Sequence, residues 1–276
     1  MKRGSSREAG EGAFRDMRDT PEREDLPLTP SCDLQRAEHR LSLATMRKGA
    51  LFSLVLLALP AAAAAKPPVV VELYTAQGCA SCAEANTYAA KLADRPGVLV
   101  LTFPVDYWDY LGWADTFAKP EYADRQKAYV AKLSLREPYT PQVIVDGRAQ
   151  APGLQQDRVD KLVREASKTP SDPPQIRFVN PHRVDVGSGR APRGGAEVWL
   201  VRYDPREQEV AIKSGDNRGQ TVVQKNVVRE MTKVGLWRGR ASAFRLPEAS
   251  EEGLQTAVIL QGPRGGRVLG VARAKN

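Results

Sequence analysis

The sequence predicts an α/β domain with the element order β-α-β-α-β-β-α, followed by a small all-β, sandwich-like domain, in a chain of 276 residues. Three observations predict this fold class. An apolar, β-branched run at residues 69–74 leads through a glycine turn into Cys79-Ala80-Ser81-Cys82. Strand and helix patterns then alternate as far as residue 168. Beyond a proline-rich segment at residues 169–174, short strands of alternating polarity replace them.

Each element of the first domain, residues 66–168, follows from a local pattern. Residues 98–103 are continuously apolar, as in a strand buried in a parallel sheet. Apolar residues at helical spacing predict a helix at 80–92. The other predicted elements are a helix at 120–133, strands at 142–145 and 148–151 joined by an Asp-Gly turn, and a helix at 156–167. This order, with a C-x-x-C after the first strand, resembles the thioredoxin fold.

The second domain, residues 175–276, is predicted to contain strands only. The segment before it, residues 169–174, is rich in proline and polar residues, which is typical of a linker between domains. No catalytic constellation is found in this domain. Its predicted strands are 175–179, 183–186, 196–203, 209–212, 221–228, 240–244, 256–261 and 268–272.

Residues 46–65 have the three parts of a signal peptide: a basic start, a short apolar run and Ala63-x-Ala65. We therefore expect residues 1–45 to be a gene-model extension and Met46 to be the true start. The alternative is a genuine leader with an internal anchor. The expected protein is periplasmic or secreted and has no stable membrane anchor after cleavage. Its net charge of +8 is not concentrated in a long basic run, so no nucleic-acid partner is expected.

The C-x-x-C motif predicts thiol-disulfide chemistry. A cysteine at a helix N-terminus is stabilised as the thiolate, so Cys79 is the expected nucleophile and Cys82 the resolving thiol. The partners would be a dithiol or disulfide protein substrate and a redox partner, and no cofactor is expected. Three alternatives stay open: a structural Cys79–Cys82 disulfide, a non-enzymatic binding module that carries such a disulfide, and a soft-metal site for copper on the two thiolates. No metal-ligand set is evident.

The turn before Cys79 and the loop after the second strand are expected to contact a substrate. Both lie at the carboxyl edge of the predicted sheet, where ligands bind in open α/β sheets. Asp106 is expected to pair with Arg125 or to receive a proton, and the aromatic residues of its loop can line a groove or cover the core. The expected substrate contacts are Gln77, Gly78, Asp106, Tyr107 and Trp108.

Four segments carry a more specific likeness. They are residues 71–82, 105–113, 139–147 and 226–230, and they resemble a bacterial family of secreted thioredoxin-like proteins known as DUF1223. The likeness covers nearly all of the chain after the signal peptide. One departure is Pro104, where a histidine is expected in the family, and it weakens any proposal of a metal-binding or acid-base histidine beside the cysteines.

The likeness to thioredoxins implies roles for three more residues. The Thr140-Pro141 bond is expected to be cis and to lie against the C-x-x-C. Glu72, an acidic residue in an apolar strand, must be neutral or paired. By resemblance it is the buried carboxylate that moves protons for Cys82; the alternative is a structural salt bridge.

Overall fold

The computed structural model describes residues 66–275, which form 13 strands and three α-helices. The helices are α1 (Cys82–Ala93), α2 (Pro120–Lys132) and α3 (Gln156–Lys168). The strands, in chain order, are β1 (Val69–Thr75), β2 (Val98–Pro104), β3 (Gln142–Val145), β4 (Ala149–Pro152), β5 (Ile176–Asn180), β6 (Arg183–Val186), β7 (Ala196–Asp204), β8 (Gln208–Ala211), β9 (Thr221–Gln224), β10 (Val227–Trp237), β11 (Ser242–Arg245), β12 (Gln255–Gln261) and β13 (Val268–Arg273).

A large mixed sheet organises the fold and confirms the predicted α/β class. Its eight strands have the order β13-β12-β7-β10-β2-β1-β3-β4. β1 and β2 are parallel neighbours at its centre, and β3 runs antiparallel to β1 on the other side. Every residue of β1 and β2 is buried, as their continuous apolar sequences predict.

The side chains of β1 alternate between two apolar cores. Val71 and Leu73 face a core that is covered by α1 and α3. Val70 and Tyr74 face the other core, to which Tyr122 of α2 and both cysteines also belong. The period of two along a strand produces this division, since successive side chains point to opposite faces of the sheet. The cysteine turn is therefore anchored in the core opposite α3.

The strands after residue 174 continue the sheet of the first half. Thr102 of β2 pairs with Val227 of β10, and the Asn226 side chain donates to the Val100 carbonyl at 2.9 Å. The predicted linker at residues 169–174 lies between α3 and β5. A division into two domains at this segment stays a prediction. The structure shows that residues on both sides of it share one sheet and one core.

Four of the C-terminal strands, β7, β10, β12 and β13, join the large sheet. A three-stranded sheet with the order β11-β6-β5 packs on their other face, around the completely buried Trp237. This gives a two-layer, sandwich-like arrangement, but one of the layers belongs to the main sheet. β8 and β9 form a separate two-stranded hairpin.

One predicted strand is wrong in its extent. Residues 221–228 were expected to form a single strand, but β9 ends at Gln224 and β10 begins at Val227. Asn226 between them has a left-handed backbone with φ of +54°, a conformation that Asn tolerates better than most residues. β10 then continues to Trp237, through a segment that the prediction left unassigned.

The expectations for residues 1–65, including the signal peptide at 46–65, lie outside the described residues. Within residues 66–275 there is no helix with the length and apolar content needed to cross a membrane.

Candidate functional site around the Cys79–Cys82 disulfide

Cys79 and Cys82 form a disulfide between the end of β1 and the start of α1. α1 begins at Cys82, with Ser81 as its N-cap, so the helix starts two residues later than predicted. Cys79 lies in the turn before it, and its carbonyl accepts a hydrogen bond from the Cys82 N–H at 3.0 Å. Both residues are buried: Cys79 is 6% exposed and Cys82 1% exposed. Cys79 is thus the more accessible of the two.

Trp108 joins the cysteine turn to the loop before β3. A Cβ placed on Gly78 would lie 3.7 Å from the Cβ of Trp108, so the indole side chain begins directly beside the residue that precedes Cys79. The Trp108 Nε1–H donates to Thr140 Oγ1 at 2.7 Å. The Thr140-Pro141 peptide bond is cis, as predicted. The structure therefore brings together Gly78, Trp108 and Thr140, which come from three separate segments of the sequence.

Pro141 packs next to the first turn of α1. A Cβ on Gly153 would lie 2.9 Å from the Cβ of Pro141 and 3.0 Å from the Cβ of Ala85. Ala85 follows Cys82 by three residues, which puts both on one face of the helix. The Gly153 N–H also donates to the Pro141 carbonyl at 2.8 Å. Gly153 therefore allows the Pro141 loop to approach α1 closely.

Three aromatic residues, Tyr107, Trp108 and Tyr110, form a cluster beside this turn. The rings of Trp108 and Tyr110 stack with centroids 6.3 Å apart, and Tyr110 is 77% exposed. The Tyr107 hydroxyl donates to Gln126 Oε1 at 3.1 Å. Burial raises the pKa of Tyr107 to about 12, against the opposing effect of its hydrogen bonds to Gln126 and Thr140. Tyr107 is therefore neutral and held in place by its hydrogen bonds, and Tyr110 is the exposed member of the cluster.

Side chains from two other loops hold the backbone of Gln77, two residues before Cys79. The Gln77 N–H donates to Asp115 Oδ2 at 2.7 Å. The Gln77 carbonyl accepts from Asn217 Nδ2, also at 2.7 Å. The turn lies between β1 and α1, where no regular ladder satisfies these groups, and both bonds meet the requirement that buried peptide groups be paired.

The side chain of Gln77 is completely buried and bonds only within the protein. Its Oε1 accepts from Trp113 Nε1 at 2.9 Å and from the Thr116 N–H at 3.2 Å, while its Nε2 donates to Thr116 Oγ1 at 2.9 Å. Gln77 was expected to contact a substrate. This position inside the protein gives its side chain the different task of fixing the turn.

Asp115 is a buried carboxylate at the centre of these contacts. It accepts hydrogen bonds from the N–H groups of Gln77, Phe117 and Ala118. The pKa of Asp115 is raised from 3.8 to about 6, mainly by burial; the nearby charge of Asp109 acts in the same direction, and the three N–H donors oppose the change. The turn before Cys79 is therefore tied to a group that titrates near pH 6.

Glu72 forms a buried ion pair with Arg125, with Nε–Oε2 and Nη2–Oε1 distances of 2.7 and 2.8 Å. Tyr129 donates to Oε1 at 2.6 Å and Tyr74 donates to Oε2 at 2.9 Å. Burial, followed by the charge of Glu72, raises the pKa of Tyr74. All four hydrogen bonds of the carboxylate go to these three residues. This is the structural pairing left open as an alternative; proton transfer to Cys82 stays a prediction.

The expected pairing of Asp106 with Arg125 is wrong, because Arg125 is occupied by Glu72. Asp106 is half-buried in the loop after β2, where its carbonyl accepts from the Asp109 N–H at 3.0 Å. No ion pair within residues 66–275 involves Asp106. The same part of the chain contains no group of three His, Cys, Asp or Glu side chains arranged to hold a metal ion.

Sequence reasoning missed Asp115 and Asn217 as parts of this site. Asp115 lies just beyond the segment that carries the family likeness, and Asn217 lies in a polar loop 138 residues after Cys79 in the sequence. Neither residue stands in a motif, and only the folded chain brings them to Gln77.

Comparison with known proteins establishes the family. The chain belongs to the family described as protein of unknown function DUF1223, whose model matches residues 70–261. It is similar to the crystal structure of protein AGR_C_4864 from Agrobacterium tumefaciens, with 31% sequence identity and a TM-score of 0.62 over 76% of this chain and 95% of that chain. HBP35 of Porphyromonas gingivalis matches at 10% identity and a TM-score of 0.47, over 76% of this chain and 75% of that one. The second likeness is too distant to carry an inference. No curated protein matches the chain significantly.

Proposed function

We propose that the protein is an exported, thioredoxin-like thiol-disulfide oxidoreductase in which Cys79 and Cys82 are the exchanging pair. The observation that carries the proposal is the bond between these cysteines, at the point where a central strand passes into a helix. Export rests on the signal-peptide pattern at residues 46–65. The disulfide is consistent with an oxidising compartment.

The element order supports a thioredoxin-like core. β1 and β2 are parallel and joined through α1, while β3 and β4 form an antiparallel hairpin next to β1. The C-x-x-C follows β1, and the Thr140-Pro141 bond precedes β3. These are the places where the thioredoxin fold carries its cysteines and its proline.

The surroundings of the disulfide support a protein substrate. The stacked rings of Trp108 and the exposed Tyr110 lie beside Gly78, the residue that precedes Cys79. An exposed aromatic ring at this place can pack against the side chains around a thiol or disulfide in another chain. Thr140, bonded to Trp108, borders the same surface.

The proposed exchange has two steps. A substrate thiolate attacks Sγ of Cys79, which forms a mixed disulfide and releases Cys82 as a thiolate. A second substrate thiolate then attacks the substrate sulfur, and Cys79 leaves as a thiolate. The substrate is oxidised to a disulfide, and the Cys79–Cys82 pair is reduced by the same two electrons. Run in reverse, the same steps reduce a substrate disulfide.

Single-cysteine variants test these roles. They are made in a Cys32→Ser background, because Cys32, Cys79 and Cys82 are the three cysteines of the chain. Reduced Cys82→Ser should accumulate a stable mixed disulfide with oxidised glutathione, since no resolving thiol is left. Reduced Cys79→Ser should form much less of it, because Cys82 is 1% exposed. Mass spectrometry of the quenched protein measures both. Equal trapping by the two variants would contradict the assigned roles.

One observation favours a second candidate, a binding module that carries a fixed disulfide. Both cysteines are buried, and buried structural disulfides resist reduction. In this case the bond stabilises the turn and the function lies elsewhere on the protein. Inertness of the folded protein towards dithiothreitol would support this candidate against the oxidoreductase.

A further inference from the structure

The β8–β9 hairpin has no place in either of the larger sheets. It pairs Gln208–Ala211 with Thr221–Gln224 as a separate two-stranded sheet. An isolated two-stranded hairpin is only marginally stable, so its position must be set by packing against other elements. Its connecting loop, residues 212–220, reaches the loops that surround the cysteine turn.

Two contacts dock this connecting loop on the loop after β2. The Ser214 hydroxyl donates to the Gly112 carbonyl at 2.7 Å. Gly215 has a left-handed backbone with φ of +73°, and a Cβ there would lie 2.9 Å from the Leu111 carbonyl oxygen. This close approach requires glycine on both counts. The docking fixes the loop near its middle.

Asn217, two residues after Gly215, connects this loop to the cysteine turn. It is 2% exposed, and its Nδ2 donates to the carbonyl of Gln77 at 2.7 Å. Its Oδ1 has no hydrogen-bond partner among the described residues. The side chain is therefore used for one donor only, and that donor holds the backbone two residues before Cys79.

We propose that Asn217 is a positioning residue for the Cys79–Cys82 pair, acting through the Gln77 carbonyl, and that this is the task of the β8–β9 hairpin. The inference rests on the proposed function. Holding the turn keeps the Cys79 sulfur within reach of Cys82, which raises the effective concentration of one thiol at the other. Loss of the hydrogen bond between Asn217 and Gln77 lets the turn move and makes the disulfide easier to reduce.

The test compares two variants of Asn217 with a matched control, all in the Cys32→Ser full-length chain. Asn217→Ala and Asn217→Leu both remove the donor, and the second keeps the number and branching of the side-chain heavy atoms without adding charge. The control is Asn226→Ala, which also deletes a buried Asn whose Nδ2 donates to a backbone carbonyl, that of Val100 at 2.9 Å. Each protein is equilibrated with reduced and oxidised dithiothreitol and then alkylated.

Both Asn217 variants should lower the equilibrium constant for disulfide formation by about three- to tenfold, the value of one hydrogen bond. For a two-electron couple this corresponds to a rise in reduction potential of about 14 to 30 mV. Asn226→Ala should lower the unfolding midpoint but leave the potential unchanged. If Asn217 only stabilises the fold, the reduction potential should be unchanged in both Asn217 variants.

Suppose that the wild-type disulfide exchanges normally and that a folded Asn217 variant has an unchanged reduction potential. This result overturns the inference about Asn217 and leaves the proposed function standing. A wild-type disulfide that cannot be reduced in the folded protein overturns both. Circular dichroism identifies which variants are folded before their potentials are compared.

Discussion

Glu72 is the one acidic residue of β1, and its charge is balanced in the core by Arg125. The two side chains are 1% and 7% exposed, so neither is screened by water. The pair also joins the two halves of the chain, because Arg125 Nη2 donates to Gln261 of β12 at 3.1 Å. A polar residue in an apolar strand is in this case the centre of a buried network.

We expect Glu72→Gln to lower the free energy of unfolding by about 3–5 kcal/mol, because it leaves the guanidinium of Arg125 buried without its counter-ion. Urea denaturation measures the loss. Glu121→Gln, an exposed position at the start of α2, is the control and should change stability by less than about 0.5 kcal/mol. A Glu72→Gln variant as stable as this control would show that the ion pair contributes little.

Asp115, which bonds to the turn before Cys79, makes the stability of the protein depend on pH. Its pKa is about 6 in the folded protein and 3.8 ordinarily, so the folded state binds more protons between these values. Stability therefore falls as the pH rises through this window, and the contribution is fully lost above about pH 6. The difference between the two pKa values corresponds to a change of about 3 kcal/mol at most in the free energy of unfolding.

Asp115→Asn removes this titration. The unfolding free energy of the wild type, measured relative to the variant, should decrease by up to about 3 kcal/mol between pH 4 and pH 7. Denaturation curves at closely spaced pH values provide the comparison. Asp172→Asn, at an exposed position before β5, is the control and should show no such trend. A constant difference between wild type and Asp115→Asn would mean that Asp115 does not titrate in this range.

At the scale of elements, the site depends on loops that approach one another closely. The loop before β3 lies against α1 because Gly153 has no side chain between Pro141 and Ala85. The loop after β2 is joined to the cysteine turn through Trp108 and Asp115. These loops carry the candidate functional groups, and the sheet beneath them provides the rigid support.

Gly153→Ala should therefore disturb the site as well as the fold. The added methyl group meets two Cβ atoms at about 3 Å, and we expect a loss of about 1–3 kcal/mol from overpacking. Gly187→Ala is the matched control, because its nearest neighbour is the Gln175 carbonyl oxygen at 3.5 Å, an ordinary contact. Thermal unfolding distinguishes the two. Equal stability of the two variants would mean that the Pro141 loop moves aside freely.

At the scale of the whole molecule, local patterns predicted most elements and missed how they assemble. The strands at 69–74 and 98–103 were predictable because continuous apolar runs of that length are buried in sheets. The pairing of β2 with β10 was not predictable, because it joins residues more than 120 positions apart through the backbone of Asn226. The segment 226–230 stood out in the sequence, but nothing local indicates which strand it meets.

The candidate site shows the same limit. The cysteines and the Thr140-Pro141 bond were predictable from motif and resemblance. The partners of Gln77 were not, because a buried peptide group can be satisfied by any polar side chain that the fold brings near. Asp106, an acidic residue of the loop after β2, was expected to pair with Arg125 or to receive a proton, whereas the more deeply buried Glu72 pairs with Arg125.

The reduction potential of the Cys79–Cys82 pair tests the central claim most directly. The full chain with Cys32→Ser is equilibrated in glutathione or dithiothreitol buffers under native conditions, and free thiols are counted by alkylation. An oxidoreductase predicts a potential in the range of exchanging proteins, between about −120 and −270 mV. A potential well below about −300 mV would contradict the account and identify a structural disulfide.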